Sequence, residues 1–391
     1  MKVGESRLGL LLMIRRLWIP SSRAQLLQAQ HRLLQYHGLT RTFQRRRVKL
    51  QDGSELTINA IESTKPTIAP RQQTTCVLAH GLGSGLAFFY PNLAYLANRF
   101  ERVIAFDWLG FGASDRPEWD NTASAQDATR FFTESFSEFC NAMGLNDFPF
   151  TLVAHSMGGL LATEFALQKP ECLSSLVLIS PAGLPPTPDP SELIDDSDLP
   201  SGLRFLKAAW DLNFTPGSVL RASGPRGPQY TRAVLGRRFT GAHWSNETLI
   251  DLMADYLYHC TAQPGSGEYA MNALLLPEFQ RSHGTEIYAR RPLLPRMLRP
   301  ASEGGLSCNL PVHIIFGDND WLYSKATEQA LLDAARNINY HHKNISLKIA
   351  PQAGHHVYMD NADALHSVID DVFDVVHGGF MVEDRREHIF T

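Results

Sequence analysis

Short apolar runs of strand length alternate with amphipathic stretches of helix length over most of the chain. Thr75-Cys-Val-Leu-Ala79, Val103-Ile-Ala-Phe-Asp107, Phe150-Thr-Leu-Val-Ala154 and Leu173-Ser-Ser-Leu-Val-Leu-Ile179 are nearly continuous in apolar residues, the pattern of strands covered on both faces. Between them, the stretch from about Ser124 to Met143 repeats Phe131, Phe132, Phe136 and Phe139 at helical spacing, which predicts a helix with an aromatic core face. A second helix runs from Leu160 until Lys169-Pro170 ends it. Strands alternating with helices predict an α/β chain with a mostly parallel, doubly wound sheet and a site at the carboxyl ends of its strands. Upstream, residues from Arg47 to Ile61 alternate around Asp52-Gly53, which predicts an opening antiparallel hairpin.

The alternation lapses between Leu184 and Gly305. That stretch holds prolines (Pro185, Pro186, Pro188, Pro190), an acidic patch (Glu192, Asp195, Asp196, Asp198) and bulky residues (Phe205, Trp210, Phe214, Trp244, Tyr256, Tyr258). Its length exceeds a plain connection, so it is expected to be a helical cap lining the site with apolar groups. Pro311-Val-His-Ile-Ile-Phe316 and Ile345 to Ala350 restore the strand pattern. The expected partition is an N-terminal arm over 1–46, a first core segment over 47–183, the cap over 184–305, a second core segment over 306–378 and a tail over 379–391.

The arm departs from the rest in charge. No acidic residue occurs between Glu5 and Asp52, while Arg15, Arg16, Arg23, Arg32, Arg41, Arg45, Arg46, Arg47 and Lys49 accumulate. The apolar run Leu8 to Ile14 is far shorter than the roughly 20 residues a spanning helix needs, and no small-residue cleavage site follows it. Ser21 or Ser22 could cap a helix through Tyr36 with Leu26, Leu27, Leu33 and Leu34 on one face and Arg23, Gln30 and Arg32 towards solvent. Three readings stand: a mitochondrial transit peptide, a surface segment drawn to anionic lipid, or a helix packed on the body with a solvated basic side. The expected location is intracellular, cytoplasmic and peripheral to a membrane, with the mitochondrion as the alternative.

Composition removes some classes. The 391 residues carry a net charge of -4, with no zinc-finger, P-loop or dinucleotide fingerprint, so nucleic acid is not an expected partner. The five cysteines are scattered and without metal-ligand spacing, which suits reduced thiols, mostly in the core. No cofactor or metal is called for.

The chemistry concentrates at strand ends. Ala154-His155-Ser156-Met157-Gly158 is a G-x-S-x-G nucleophile elbow with alanine for its first glycine, a sharp strand-to-helix turn that lifts the serine to the sheet rim. His80-Gly81-Leu82-Gly83-Ser84-Gly85 after Ala79 could aim backbone amides into a cavity, with Leu82 and Met157 as the candidate oxyanion donors. A serine hydroxyl needs a base and a group to orient that base. His355 and Asp320 supply them in the order Ser, Asp, His, against Asp318 and His356 as competitors; Asp318 is expected to be a solvated turn residue and His155 an elbow packing residue. Asp107 with Gly110 and Gly112 should brace the loop after its strand.

His80-Gly81-Leu82-Gly83, Asp107-Trp-Leu-Gly-Phe-Gly-Ala-Ser114, the Ser156 elbow, Tyr258-His-Cys260 with Ser266-Gly267-Glu268, and His355-His-Val-Tyr-Met-Asp360 together resemble one α/β-hydrolase subfamily. It includes alpha/beta-hydrolase domain proteins four and five, related plant proteins and the fungal cardiolipin-specific deacylases. The similarity runs from about Trp18 to Val376. It implies an α/β-hydrolase fold and deacylation of phospholipids or N-acyl phospholipids, with acyl transfer to lysophosphatidic acid as a further activity. A phospholipid or lysophospholipid at a membrane or lipid-droplet surface is the implied partner. His355 and Asp360 fit the subfamily's H-x4-D pattern, linked there to acyl transfer. Members that lack the nucleophile act as lipase co-activators, so a non-catalytic lipid-surface adaptor is the rival; Ser156 favours a hydrolase. Epoxide hydrolases and dehalogenases of the same fold would need aspartate at position 156.

Overall fold

A computed structural model describes residues 18, 21–50, 53–65, 74–186, 193–195, 197–239, 246–280, 284–336 and 344–377. Ten strands are present among them: β1 (Gln44–Lys49), β2 (Thr57–Thr64), β3 (Thr75–Ala79), β4 (Arg102–Phe106), β5 (Phe150–His155), β6 (Leu173–Ile179), β7 (Leu275–Gln280), β8 (Gly284–Ala289), β9 (Val312–Gly317) and β10 (Ile345–Ala350). Eight of them form one sheet in the order β1-β2-β4-β3-β5-β6-β9-β10. β1, β2 and β4 pair antiparallel, and every other neighbour pair is parallel. The predicted hairpin exists, with Lys49 opposite Thr57; Gln51 and Asp52 of its turn lie outside the described residues.

The described part of the arm is built into the body. Helix α1 (Arg23–Tyr36), capped by Ser22, buries Leu26, Ala29, Leu33 and Leu34 in the core that holds Leu78 and Phe89. Gln30 departs from expectation: it is buried and accepts from Asn59 Nδ2 at 3.0 Å, because a fully buried amide needs an acceptor. Arg23 pairs with Asp115 and Arg46 with Glu62, both at 2.7 Å, and Arg32 pairs with Asp255. Residues 1–17, the first part of the arm, lie outside the described residues, as does the tail beyond 377.

Both faces of the central strands are covered, which accounts for their unbroken apolar runs. Val77, Ala79, Ile104 and Phe106 join one core with the aromatic stripe of helix α2 (Ala125–Ala142), whereas Cys76, Leu78, Val103 and Ala105 join the other. Helix α3 (Met157–Gln168) contributes Leu160, Leu161 and Phe165 to the first of these cores. A side-chain and backbone exchange between Ser124 and Asp127 caps α2, so its start is set locally. The order reverses at β3, which lies between β4 and β5. The turns after β3 and β5 therefore leave the same sheet edge side by side, at a topological switch point.

The insertion between β6 and β9 carries helices α4 (Ser201–Asp211), α5 (Pro216–Ala222), α6 (Gly227–Arg238), α7 (Glu247–Ala262) and α8 (Gly267–Leu274). It also holds the antiparallel pair β7–β8, which the purely helical reading missed. Leu293 N and Leu294 N donate to Gly183 O and Leu184 O at 2.9 and 3.0 Å, so the exit of the insertion is zipped to its entry. Helix α1 lies against α7, and Ser21 Oγ is 3.0 Å from His259 Nδ1. Not all the bulky residues face inward as expected: Tyr256 is fully buried, but Phe205 and Phe214 are exposed. Trp244, Glu192 and Asp196 lie outside the described residues.

Candidate active site

Ser156 directly follows β5 with φ 52° and ψ -117°, a conformation that costs a non-glycine residue about 1–3 kcal/mol. Contacts on both sides hold it there. Its N–H donates to Ile179 O at 2.9 Å, and its carbonyl accepts from Ala182 N at 3.1 Å and Leu160 N at 3.2 Å. The small residues of the motif are required by close approach. A Cβ on Gly158 would stand 2.6 Å from His80 O and 2.7 Å from Ala79 O, and one on Gly159 2.9 Å from Pro181 Cβ. Ala154, fully buried in β5 opposite Leu178, sits within this turn without disturbing it.

His355 Nε2 lies 2.9 Å from Ser156 Oγ, and its Nδ1 lies 3.0 Å from Asp320 Oδ1. The three side chains expected from the strand ends after β5, β9 and β10 are thus joined in one hydrogen-bonded chain. The loops that carry Asp320 and His355 are interlocked. Asn319 N donates to Ala353 O at 2.9 Å, while the exposed Asp318 carboxylate accepts from Gln352 N and Ala353 N at 3.0 and 3.1 Å. Asp320 N returns to Gly317 O at 3.2 Å, a turn that aims Asp320 inward and leaves Asp318 in the loop.

Burial pushes the Asp320 carboxyl up, but the hydrogen bond and charge of His355, with the Ser180 hydroxyl and the Leu322 amide, hold it below its ordinary value. Leu322 N donates to the same Oδ1 at 3.0 Å. The neighbouring histidines are held neutral. Burial, then the proximity of His355, lowers His155 well below its usual value and His356 to about 3. His155 does more than fill space at the elbow, since its Nε2–H donates to the His355 carbonyl at 2.9 Å.

The turn carrying Leu82 abuts the serine, since a Cβ on Gly81 would come within 3.0 Å of Ser156 Cβ and 2.7 Å of His155 Nδ1. His80 stiffens that turn: Trp108 N donates to its Nε2 at 3.2 Å, and Trp108 Nε1 donates to its carbonyl at 3.1 Å. Met157 is the first residue of α3, so its amide has no intrahelical acceptor and lies at the positive end of the helix. Asp107 braces the adjacent loop by accepting from Leu86 N, Ala113 N and Asn59 Nδ2 at 2.8 to 2.9 Å.

A cavity of about 1260 Å³ opens at His355, lined by Arg238, Trp321, Gly354, Met359 and Asp360 among others. Trp321 is largely exposed, with its ring 5.1 Å from that of His355. The described hydrogen bonds of the Asp360 carboxylate come from Gly354 N at 3.0 Å and Arg238 Nη2 at 2.8 Å, and none involves the His355 ring. Sequence reasoning missed Arg238, which lies 122 positions before Asp360, and Ser180, buried behind Asp320 at positive φ; no motif marks either. No cluster of three or more metal-ligating side chains occurs among the described residues.

This sheet, its insertion and the strand-end cluster belong to a known class: the chain is a member of the alpha/beta hydrolase fold family, which it matches over residues 75–362. The 1-acylglycerol-3-phosphate O-acyltransferase of Arabidopsis thaliana is 32% identical over 367 residues, 90% of this chain and 81% of that protein. The 1-acylglycerol-3-phosphate O-acyltransferase ABHD5 of Homo sapiens is 30% identical over 335 residues, 86% of each chain. A (lyso)-N-acylphosphatidylethanolamine lipase of Bos taurus is 29% identical over 317 residues, 79% of this chain and 82% of that one. These relatives fall in the subfamily that the motifs resemble. Among solved structures, a bacterial membrane phospholipase A superposes with a TM-score of 0.59 at 20% identity, covering 96% of this chain and 99% of that one. A Bacillus subtilis carboxylesterase does so at 0.56 and 17%, covering 92% and 99%; at such identities the likeness concerns the fold.

Proposed function

We propose that the chain is a serine lipid hydrolase that cleaves acyl esters or acyl amides of glycerophospholipids through an acyl-enzyme. The observation that carries this reading is the continuous chain Ser156 Oγ, His355, Asp320 at 2.9 and 3.0 Å, with the serine held at positive φ. Ser156 Oγ attacks the acyl carbonyl while His355 Nε2 takes its proton; the carbonyl π electrons move onto oxygen. Collapse of that intermediate expels the alcohol or amine, which receives the proton from His355. Water then repeats the sequence on the acyl-enzyme and releases the fatty acid. Asp320 orients His355 and offsets the charge it acquires. The Leu82 and Met157 amides stabilise the oxyanion, a contribution of roughly 2.7–4 kcal/mol per donor in comparable sites.

The relatives' names support lipid acyl chemistry and bring in a second acceptor: where lysophosphatidic acid replaces water, the same acyl-enzyme yields phosphatidic acid. Exposed Phe205, Leu212, Val219, Tyr230 and Val234 on α4 to α6 and the segments joining them favour work at a lipid surface, where the cap side would meet acyl chains. A fluorophosphonate probe with the full chain and Ser156→Ala, beside product analysis on defined phospholipids with and without lysophosphatidic acid, tests the reading. Labelling and turnover that both vanish in Ser156→Ala support it. A folded wild-type protein that is neither labelled nor active on any lipid would favour the adaptor reading instead.

A further inference from the structure

We propose that Arg238 and Asp360 form a strap through which the cap positions the candidate base, making Asp360 a positioning residue and not the acid of a separate transfer site. The inference rests on the reading of His355 as the base. Arg238 is the last residue of α6 in the cap, and its Nη2 lies 2.8 Å from Asp360 Oδ2. The same oxygen accepts from Gly354 N at 3.0 Å, and Gly354 directly precedes His355. One carboxylate oxygen therefore ties a cap helix to the peptide that carries the base. The fit is close: a Cβ on Gly354 would stand 3.0 Å from Arg238 Nη2 and 3.4 Å from Asp360 Oδ2.

The base is thus gripped from two sides. Asp360 holds the Gly354 N–H on the cap side, and His155 holds the His355 carbonyl at 2.9 Å on the elbow side. With the backbone clamped on either flank, the imidazole has one direction in which to reach both Ser156 Oγ and Asp320. Asp360 Oδ2 has both of its hydrogen bonds committed within the chain, one to a guanidinium and one to a backbone amide. Arg238, Gly354, His355 and Asp360 all line the same cavity, so any movement of α6 that admits a lipid acts on the strap as well. The pairing also gives Arg238 a role that helix propensity or surface solvation would not require of it.

The test uses the full chain with Arg238→Ala, Arg238→Lys, Asp360→Asn and the Arg238→Ala, Asp360→Asn double variant. Three quantities are read: the rate constant for fluorophosphonate labelling of Ser156, the ratio of hydrolysis to transfer, and the downfield proton resonance of His355 Nδ1–H, assigned with His355→Gln. The strap predicts that each single neutralisation slows labelling on the order of 10- to 100-fold and shifts or broadens the resonance. It also predicts that the double variant is no slower than the slower single variant, that lysine restores most of the rate, and that hydrolysis and transfer fall together. Unchanged labelling and resonance in folded Arg238→Ala overturns it, as does a selective loss of transfer in Asp360→Asn alone. If Asp360→Asn does not fold, Arg238→Ala decides, since that side chain is partly exposed. A wild-type chain that is never labelled overturns the hydrolase reading, and the His355 resonance then judges the strap independently of turnover.

Discussion

Asp320→Asn replaces a carboxylate by an amide of the same shape, and the structure determines which way that amide should turn. Oδ1 accepts both from His355 and from Leu322 N at 3.0 Å, so an oxygen is required there. Oδ2 is buried beside the Ser180 hydroxyl without meeting it in good hydrogen-bonding geometry, a site able to receive the amide NH₂. The variant should therefore keep an acceptor on His355 Nδ1–H and preserve the tautomer. What it loses is the counter-charge of the imidazolium, about 4 kcal/mol for unit charges ~4 Å apart at an effective dielectric near 20. That corresponds to a fall of about 10³-fold, less than the roughly 10⁴-fold seen when such a substitution inverts the tautomer. Fluorophosphonate labelling and ester hydrolysis measured across about pH 5 to 9 would show the lower rate, with its acid limb displaced to lower pH. A fall below tenfold with an unmoved acid limb would refute the role of Asp320, and a fall near 10⁴-fold would refute the argument from Leu322.

Gly158→Ala places a methyl group 2.6 and 2.7 Å from two carbonyl oxygens; loss of soluble protein or a large drop in melting temperature is expected, and a wild-type melting temperature would contradict the packing described. His356, held neutral with its value lowered to about 3, and His155 and His80, also lowered by burial, stabilise the fold fully only above their unfolded value near 6.5. Stability should fall as pH drops from there towards the folded value, by up to about 1.4 kcal/mol per pH unit for each histidine; urea midpoints at several pH values would measure it, and His356→Gln should flatten the slope. A chain starting at Gln51 loses α1 and β1 and exposes the core that Leu26, Leu33 and Leu34 cover, so its circular dichroism melt should lie well below that of the full chain; equal melts would contradict the packing of α1. Phe205→Ser with Leu212→Ser, at side chains 73% and 82% exposed, should weaken co-sedimentation with phospholipid vesicles while leaving the melting temperature nearly unchanged; equal sedimentation would exclude the cap face as a lipid contact.

The chain's own pattern determined the sheet, because strands covered on both faces must be apolar throughout and amphipathic helices must return between them. It also marked Ser156, Asp320 and His355, since parallel strands all end on one edge and residues far apart in sequence emerge there together. Other features have no local signature. Gln30 looked solvated on a helix projection, yet Asn59 draws it inward, and the polar demand of one buried amide cannot be read from the neighbours of another. The β7–β8 pair lies in a stretch without clear alternation, and its pairing became visible only in the assembled cap. Local grounds favour Asp320 over Asp318, but what secures that choice, the lock of the turn after Gly317 onto Ala353, is a contact between two loops. Arg238 and Ser180 matter only by where they arrive: an arginine ending a surface helix and a serine ending a strand are common, and it is tertiary packing that brings one to Asp360 and the other behind Asp320.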